Sequence, residues 1–292
     1  IAFKKYIELI KDDPNPYDSY AELLMKIGRY EESIEQYIAA LALNPNFVAS
    51  HVGISTNLNY MDKHAQARVQ CQKLFDMARD DGEKRTALIT MAVSYADEGK
   101  MDKALEKLNE RFDLAKKIDD SANMAADMNL IGLVNCEMGN CEEALQNYDL
   151  SYKTIQESGL SDHVIENGRM TYLNNQAVVA LNGNDFKTAR SKANEYMEAA
   201  KAKNNPTQMR VYFGTMGRIA MGEKKHEEAI ENFKKANQQN PYHLYRMAIC
   251  FKEMGDIENA KVYCEKAANY NALNSLNYSF CRTNAKEMLA GF

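Results

Sequence analysis

The sequence predicts an all-α fold, an α-solenoid of about seven stacked helix pairs running the length of the chain. Three observations predict it. Small residues recur at Ser33, Ala67, Ala104, Ala144, Ala189, Ala229 and Ala260, each about five residues after a turn signal (Gly28, Asp62, Gly99, Gly139, Asn184, Lys224 and Gly255). A second small residue lies twelve positions before each of them, at Ala21, Ser55, Ala92, Gly132, Ala177, Gly217 and Ala248. Only five prolines and fourteen glycines occur in 292 residues, so little interrupts helical runs. A two-helix unit of this kind cannot bury its own apolar face, and its neighbours in the stack must do so.

Taken in order, residues 1–13 read as a truncated upstream repeat. Ile1 to Ile10 has the pattern of a half helix, with Phe3, Tyr6, Leu9 and Ile10 on one face and no cap before it. Repeats follow at 14–47, 48–82, 83–119, 120–160, 161–204, 205–240 and 241–272, as one continuous solenoid. Residues 273–292 close the chain as a capping helix. Its apolar face is Leu276, Phe280, Cys281, Ala285, Met288 and Leu289, and its polar face is Asn277, Arg282, Asn284, Lys286 and Glu287. A solenoid ends on such a half-polar element.

The repeat length varies. Successive second-helix small residues are 34 apart from Ser33 to Ala67, 45 apart from Ala144 to Ala189, and 31 apart from Ala229 to Ala260. The extra residues predict longer central helices, over roughly Ser121–Met138, Cys141–Glu157, Ser161–Asn182 and Phe186–Lys203.

The clearest unit, PNPYDSYAELLMKIGRYEESIEQYIAALALNPNF at 14–47, resembles the tetratricopeptide repeat (TPR). That pattern runs W-x2-LG-x2-Y, then A-x3-F-x2-A, then P. Tyr17 stands here at the tryptophan position. The pattern returns with Met216-Gly217, Ala229, Phe233, Ala236 and Pro241, and again with Met247-Ala248, Gly255, Ala260, Cys264 and Ala267. The resemblance implies a right-handed superhelix whose first helices line a concave groove. The chain is also similar to the C-terminal part of an uncharacterised bacterial TPR-repeat protein, notably at NPNFVASHVGI and NALNSLNYSFCRTNAKEML, a likeness that carries no assigned activity.

Composition narrows the function. The net charge of -5 gives no basic footprint for nucleic acid. No run approaches the eighteen apolar residues of a helical membrane span. Six dispersed cysteines form no CxxC motif, and Cys71 and Cys264 take the place held elsewhere by Tyr37, Tyr148 and Phe233. They read as small buried hydrophobes, a usage that fits a reducing compartment. The compartment itself stays unassigned, since a targeting segment would lie upstream.

No catalytic constellation emerges, so the chain reads as a non-enzyme without a cofactor. The histidines are scattered, and Cys136 and Cys141 straddle a turn. The groove positions implied by the resemblance include Asn59, Tyr60, Asn129, Asn174, Asn182, Arg218, Tyr245 and Lys252. An Asn amide offers both a donor and an acceptor, which suits pairing with the backbone of an extended peptide. The same residues also suit polar packing between helices. Asp18 and Glu22 lie toward one end of the groove, and Arg218, Arg246 and Lys252 toward the other.

TPR domains that hold the acidic tails of heat-shock chaperones use Lys, Asn and Arg at fixed groove sites. Here Asp18, Glu22, Gly53, Thr86 and Thr90 stand there, which argues against that partner. The expected function is a protein-interaction module that binds a peptide or protein segment in its groove. A self-assembling scaffold and a peptide- or small-ligand-sensing regulator are the alternatives.

Overall fold

The computed structural model describes residues 2–272 and 275–292. The starts expected for the first helix at Ile1 and for the capping element at residue 273 lie outside the described residues. Those residues form sixteen α-helices and no strand. They are α1 (Ala2–Leu9), α2 (Pro14–Lys26), α3 (Tyr30–Leu43), α4 (Val48–Tyr60), α5 (His64–Asp76), α6 (Asp81–Asp97), α7 (Met101–Lys117) and α8 (Ser121–Glu137). The series continues with α9 (Cys141–Glu157), α10 (Asp162–Asn182), α11 (Phe186–Ala202), α12 (Pro206–Gly222), α13 (His226–Lys235), α14 (Pro241–Glu253), α15 (Ile257–Ala268) and α16 (Leu276–Ala290). This is the all-α, α-solenoid class.

The seven turn signals share one backbone solution. Each adopts a positive φ, between 58° at Asp62 and 85° at Gly139. In each, the next residue's amide reaches back five positions, as in Arg29 to Leu24 at 2.9 Å and Lys225 to Ala220 at 2.9 Å. The turn residue's own amide bonds three positions back, as in Gly28 to Met25. This is the Schellman arrangement, which satisfies the last carbonyls of one helix while reversing the chain into the next. Glycine takes it without steric cost. Lys224, at φ 61°, does not.

The paired small residues are buried without exception, and the seven on the second helices expose none of their surface. Sterics explain the choice of residue. A Cβ built on Gly132 would stand 2.5 Å from the Tyr148 ring, and one on Gly217 would stand 2.6 Å from the Phe233 ring. Both rings are almost wholly buried, so each first helix has been cut back to let a second-helix aromatic lie against its backbone. Where the pair is Ala21 and Ser33, the Ser33 hydroxyl also donates to the Ala21 carbonyl at 2.7 Å.

The chain forms two compact units, one of Ile1–Leu114 with Asn269–Phe280, the other of Ala115–Ala268 with Cys281–Phe292. In the first unit α2 packs on α3 and α4 on α5, with α3 on α4 and α5 on α6 continuing the stack. In the second, α8 with α9, α10 with α11, α12 with α13 and α14 with α15 form successive hairpins. The lengthened repeat is visible here: α10 has 21 residues against 13 in α2. At 1.5 Å per residue it is about 12 Å longer.

Two faces differ from expectation. In α1 the inward residues are Phe3 and Ile7, with Phe3 stacked 6.2 Å from Tyr20. Tyr6, Leu9 and Ile10 are exposed instead, because so short a helix meets its neighbour along one narrow line. In α16, Arg282 is not on a solvent face but only 2% exposed. Tyr278, Ser279 and Arg282 share one helix stripe, and that stripe is buried alongside Phe280 and Cys281.

Candidate ligand groove

In the first unit, α4 and α6 present the inner positions Thr56, Asn59, Tyr60, Val93 and Asp97. These are covered by residues from later in the chain, Asn271, Ala272, Ser275, Tyr278 and Ser279. The Tyr60 hydroxyl donates to the Ala272 carbonyl. The Tyr30 hydroxyl donates to the Asn271 side-chain oxygen at 2.7 Å, and the Ser279 hydroxyl to the Val93 carbonyl at 3.3 Å. Tyr278 stands edge-on to Tyr60, ring centres 5.5 Å apart, and Tyr30 meets the same ring at 5.6 Å. A void of about 10 Å³ remains among these residues, no larger than one water molecule occupies.

Asn59 and Tyr60 are consequently buried rather than open to a ligand. Asn59 further accepts a hydrogen bond from Ser94 at 2.8 Å. Their inner position was legible in the repeat register. Their occupant was not, since it comes from the far end of the sequence. At the other side of this unit, Asp18 accepts from Ser50 at 2.8 Å, and burial raises its carboxyl above the ordinary range. Glu22 pairs with Lys26 along its own helix.

In the second unit the predicted asparagines bind helices to one another. The Asn129 amide donates to the Ala125 carbonyl at 3.1 Å and the Ser151 hydroxyl at 2.7 Å, while its oxygen accepts from Asn175 at 2.9 Å. Asn182 donates to the Cys136 carbonyl at 3.0 Å. Asn174 accepts from Thr215 at 2.6 Å, and its NH2 group has no partner among the described residues. Packing between helices, the alternative use of these amides, accounts for Asn129 in full and for Asn174 in half.

The charged and aromatic positions converge. Tyr242, at the start of α14, donates its hydroxyl to Glu137, at the end of α8. Two intervening hairpins separate these helices in sequence, so the inner face of this unit is narrow enough for two side chains to bridge it. Arg246, one turn beyond Tyr242, lays its guanidinium 3.6 Å from the centre of the Tyr242 ring. Burial, and then Arg218, lower the Arg246 guanidinium to about 10. Burial, with Arg246 and Arg218, also pushes His243 down to about 3. Tyr245 is half-buried with its ring 6.4 Å from Tyr242, whereas Lys252 is exposed. The repeat register places Tyr242 and Arg246 along the groove, but it did not single out their meeting with each other and with Glu137. The signal was there in the YHLYR run at the head of α14.

A second polar surface lies at the long repeat, on α10 and the start of α12. A cleft of about 520 Å³ is lined by His163, Asn167, Lys203 and Gln208 among others. Lys203 donates to the Asn167 oxygen at 2.8 Å, and the buried Gln208 oxygen has no partner among the described residues. An apolar cleft of about 450 Å³ adjoins it through Asn205, over Met209 and Phe213. Cys136 is a buried thiol whose pKa burial raises to about 11, the behaviour of a packing residue. No group of three or more His, Cys, Asp or Glu side chains among the described residues is arranged to hold a metal. No described helix is long and apolar enough to cross a membrane.

Comparison with known proteins agrees with this architecture. Tetratricopeptide repeat family models match residues 83–157 and, separately, residues 15–47, 212–243 and 244–272, together more than half of the chain. No functionally curated protein sequence matches. Among solved structures, a tetratricopeptide repeat protein from Parabacteroides merdae is 15% identical with a TM-score of 0.53, over 95% of this chain and 97% of its own. The apo form of RapI is 13% identical with a TM-score of 0.59, over 96% and 99%. A Rap protein complexed with competence and sporulation factor is 12% identical with a TM-score of 0.58, over 95% of this chain and 76% of its own. Repeat register, Schellman turns, buried small-residue pairs and family matches converge, and the chain belongs to the tetratricopeptide repeat family.

Proposed function

We propose that the protein is a non-catalytic interaction module that binds a peptide or protein segment on the inner face of its second unit. The observation that carries this reading is the meeting of Tyr242 and Arg246 of α14 with Glu137 of α8 across that face, with Tyr245 beside Tyr242 and an unpartnered Asn174 NH2 group on α10. Polar and aromatic groups gathered from separate rigid helices suit the recognition of an extended segment, main chain by amides and side chains by pockets. The placement moves away from Asn59 and Tyr60, whose surfaces the chain's own segment covers. Family membership supports the reading, and the Rap structure with a bound factor is one example of this repeat architecture holding a partner.

A peptide array probed with the full chain tests it, followed by anisotropy on the peptides retained. Asn174→Ala and Tyr245→Ala are expected to weaken binding about tenfold each, the effect of losing one or two good contacts. Retained peptides that bind both variants as tightly as the parent would place the interaction elsewhere on the molecule.

A further inference from the structure

The hairpin of α12 and α13 is mismatched in length, with 17 residues against 10. The other hairpins of the second unit are matched more closely: 17 and 17 in α8 and α9, 21 and 17 in α10 and α11, 13 and 12 in α14 and α15. The shortfall leaves about 10 Å of α12 running on past the end of α13. That end is capped by the Gln238 side-chain amide, which donates to the carbonyls of Phe233 at 2.6 Å and Ala236 at 3.0 Å. It lies level with Gly214, where an added Cβ would stand 3.7 Å from that of Ala236.

The turns of α12 before Gly214 form one wall of the apolar cleft of about 450 Å³, with Met209 and Phe213 in it and Ala200 of α11 opposite. Ligand-binding clefts span roughly 300–1,000 Å³. This one lies on the other side of α12 from the inner face. Gln208 and Thr215 share the stripe that meets Asn174 of α10, whereas Met209, Arg210 and Phe213 are turned away from it. The rim is cationic. Lys201 and Arg210 line the cleft, no carboxylate among the described residues does, and Lys235 holds its ammonium 5.7 Å from the centre of the Phe213 ring. Lys201 meets Glu198 at 3.3 Å in an exposed pair of small worth, which a ligand carboxylate can replace. Arg210 is exposed and forms no ion pair among the described residues.

An apolar floor inside a cationic rim is complementary to apolar side chains set between carboxylates. We propose that the notch left by the short α13 docks a partner protein through a segment of that composition. Its apolar side chains cover Met209 and Phe213, and its carboxylates meet Arg210 and Lys201. This surface is separate from the inner face and uses none of its residues.

The test is the full chain with carbon-13 in its methionine methyl groups, the Met209 signal being assigned by its loss in Met209→Leu. Three probes are titrated to about 1 mM, since short isolated segments bind weakly. They are N-acetyl-Glu-Asp-Leu-Phe-Asp-Glu amide, the same peptide with Gln and Asn for its acids, and the same peptide with Ala for Leu and Phe. The Met209 signal is expected to move with the first and stay in place with the other two. Arg210→Glu is expected to weaken that response about tenfold, and Asn174→Ala to leave it unchanged. An unmoved signal, or equal movement with either control peptide, would overturn the proposal. A shift on concentrating the chain alone would overturn it in favour of a second copy, and a response to phosphatidylglycerol vesicles but to no peptide in favour of a membrane. If Arg210→Glu fails to fold, the three-peptide comparison on the parent still decides.

Discussion

The Tyr60 hydroxyl donates its hydrogen bond to the carbonyl of Ala272, a residue 212 positions later in the chain. That bond, with the Tyr278 ring against Tyr60, anchors Ala272 and the start of α16 over the inner face of the first unit. Tyr60→Phe keeps the ring contact and removes the donor. We expect a loss of about 0.5–1.5 kcal/mol in urea unfolding, together with faster amide hydrogen exchange across 269–280. Unchanged exchange there would mean that the bond does not hold the segment.

Gly132 tests the steric rule of the repeat. Helix propensity alone favours alanine there by about 1 kcal/mol. The added methyl would meet three atoms of the buried Tyr148 ring at 3.0 Å or less, which opposes it. Overpacking of this kind costs about 1–3 kcal/mol. Gly132→Ala should therefore lower the melting temperature, and a rise would show that the ring gives way freely.

Lys224 is the converse case, a long side chain in a left-handed turn position that Gly28, Gly99, Gly139 and Gly255 fill elsewhere. Lys224→Gly relieves the backbone strain while keeping the Schellman bonds. A gain of about 0.5–1 kcal/mol in chemical denaturation is expected, the strain relief outweighing the entropy of a freer unfolded chain.

His243 sets a pH dependence. It is buried against Phe233, and its folded pKa is lowered to about 3 by burial first and the two arginines second. In the unfolded chain it titrates near 6.5. Its contribution to stability is therefore complete above pH 6.5 and falls away as the pH drops toward 3, since the unfolded state takes up the proton first. Stability measured from pH 7 to 5 should decline by up to about 1.4 kcal/mol per pH unit from this group. His243→Gln should flatten that decline; an identical slope would assign it to other groups.

Asn129 is expected to matter for stability and not for binding. Its amide is spent on Ala125, Ser151 and Asn175. Asn129→Ala should cost about 1–3 kcal/mol by leaving half-buried polar groups unsatisfied, with peptide affinity unchanged in the fraction that remains folded.

These cases divide what the sequence made legible from what it did not. The seven turns and fourteen small residues obey rules that act within about fifteen positions, a backbone reversal and the contact of two adjacent helices. Such rules can be read along the chain, and they place the central helices to within about a residue at either end. The cover over Tyr60 and the bridge from Glu137 to Tyr242 depend on pairings between remote repeats. No local pattern encodes them. The asparagines fall between: their inner placement follows from register, but whether an amide meets a ligand or Ser151 is decided by which side chain faces it across the next helix.

The return of segment 269–280 also has a consequence for the order of events in the cell. Tyr30, Tyr60 and Val93 are synthesised well before Asn271, Ala272 and Ser279, which leave the ribosome only after residues Ala115–Ala268 of the second unit have been made. Domains ordinarily fold in the order of synthesis. Here α3, α4 and α6 wait for residues 186 or more positions later before their inner face is closed. A late frameshift or proteolytic nick beyond Ala268 would register as loosening near the beginning of the chain, far in sequence from the lesion.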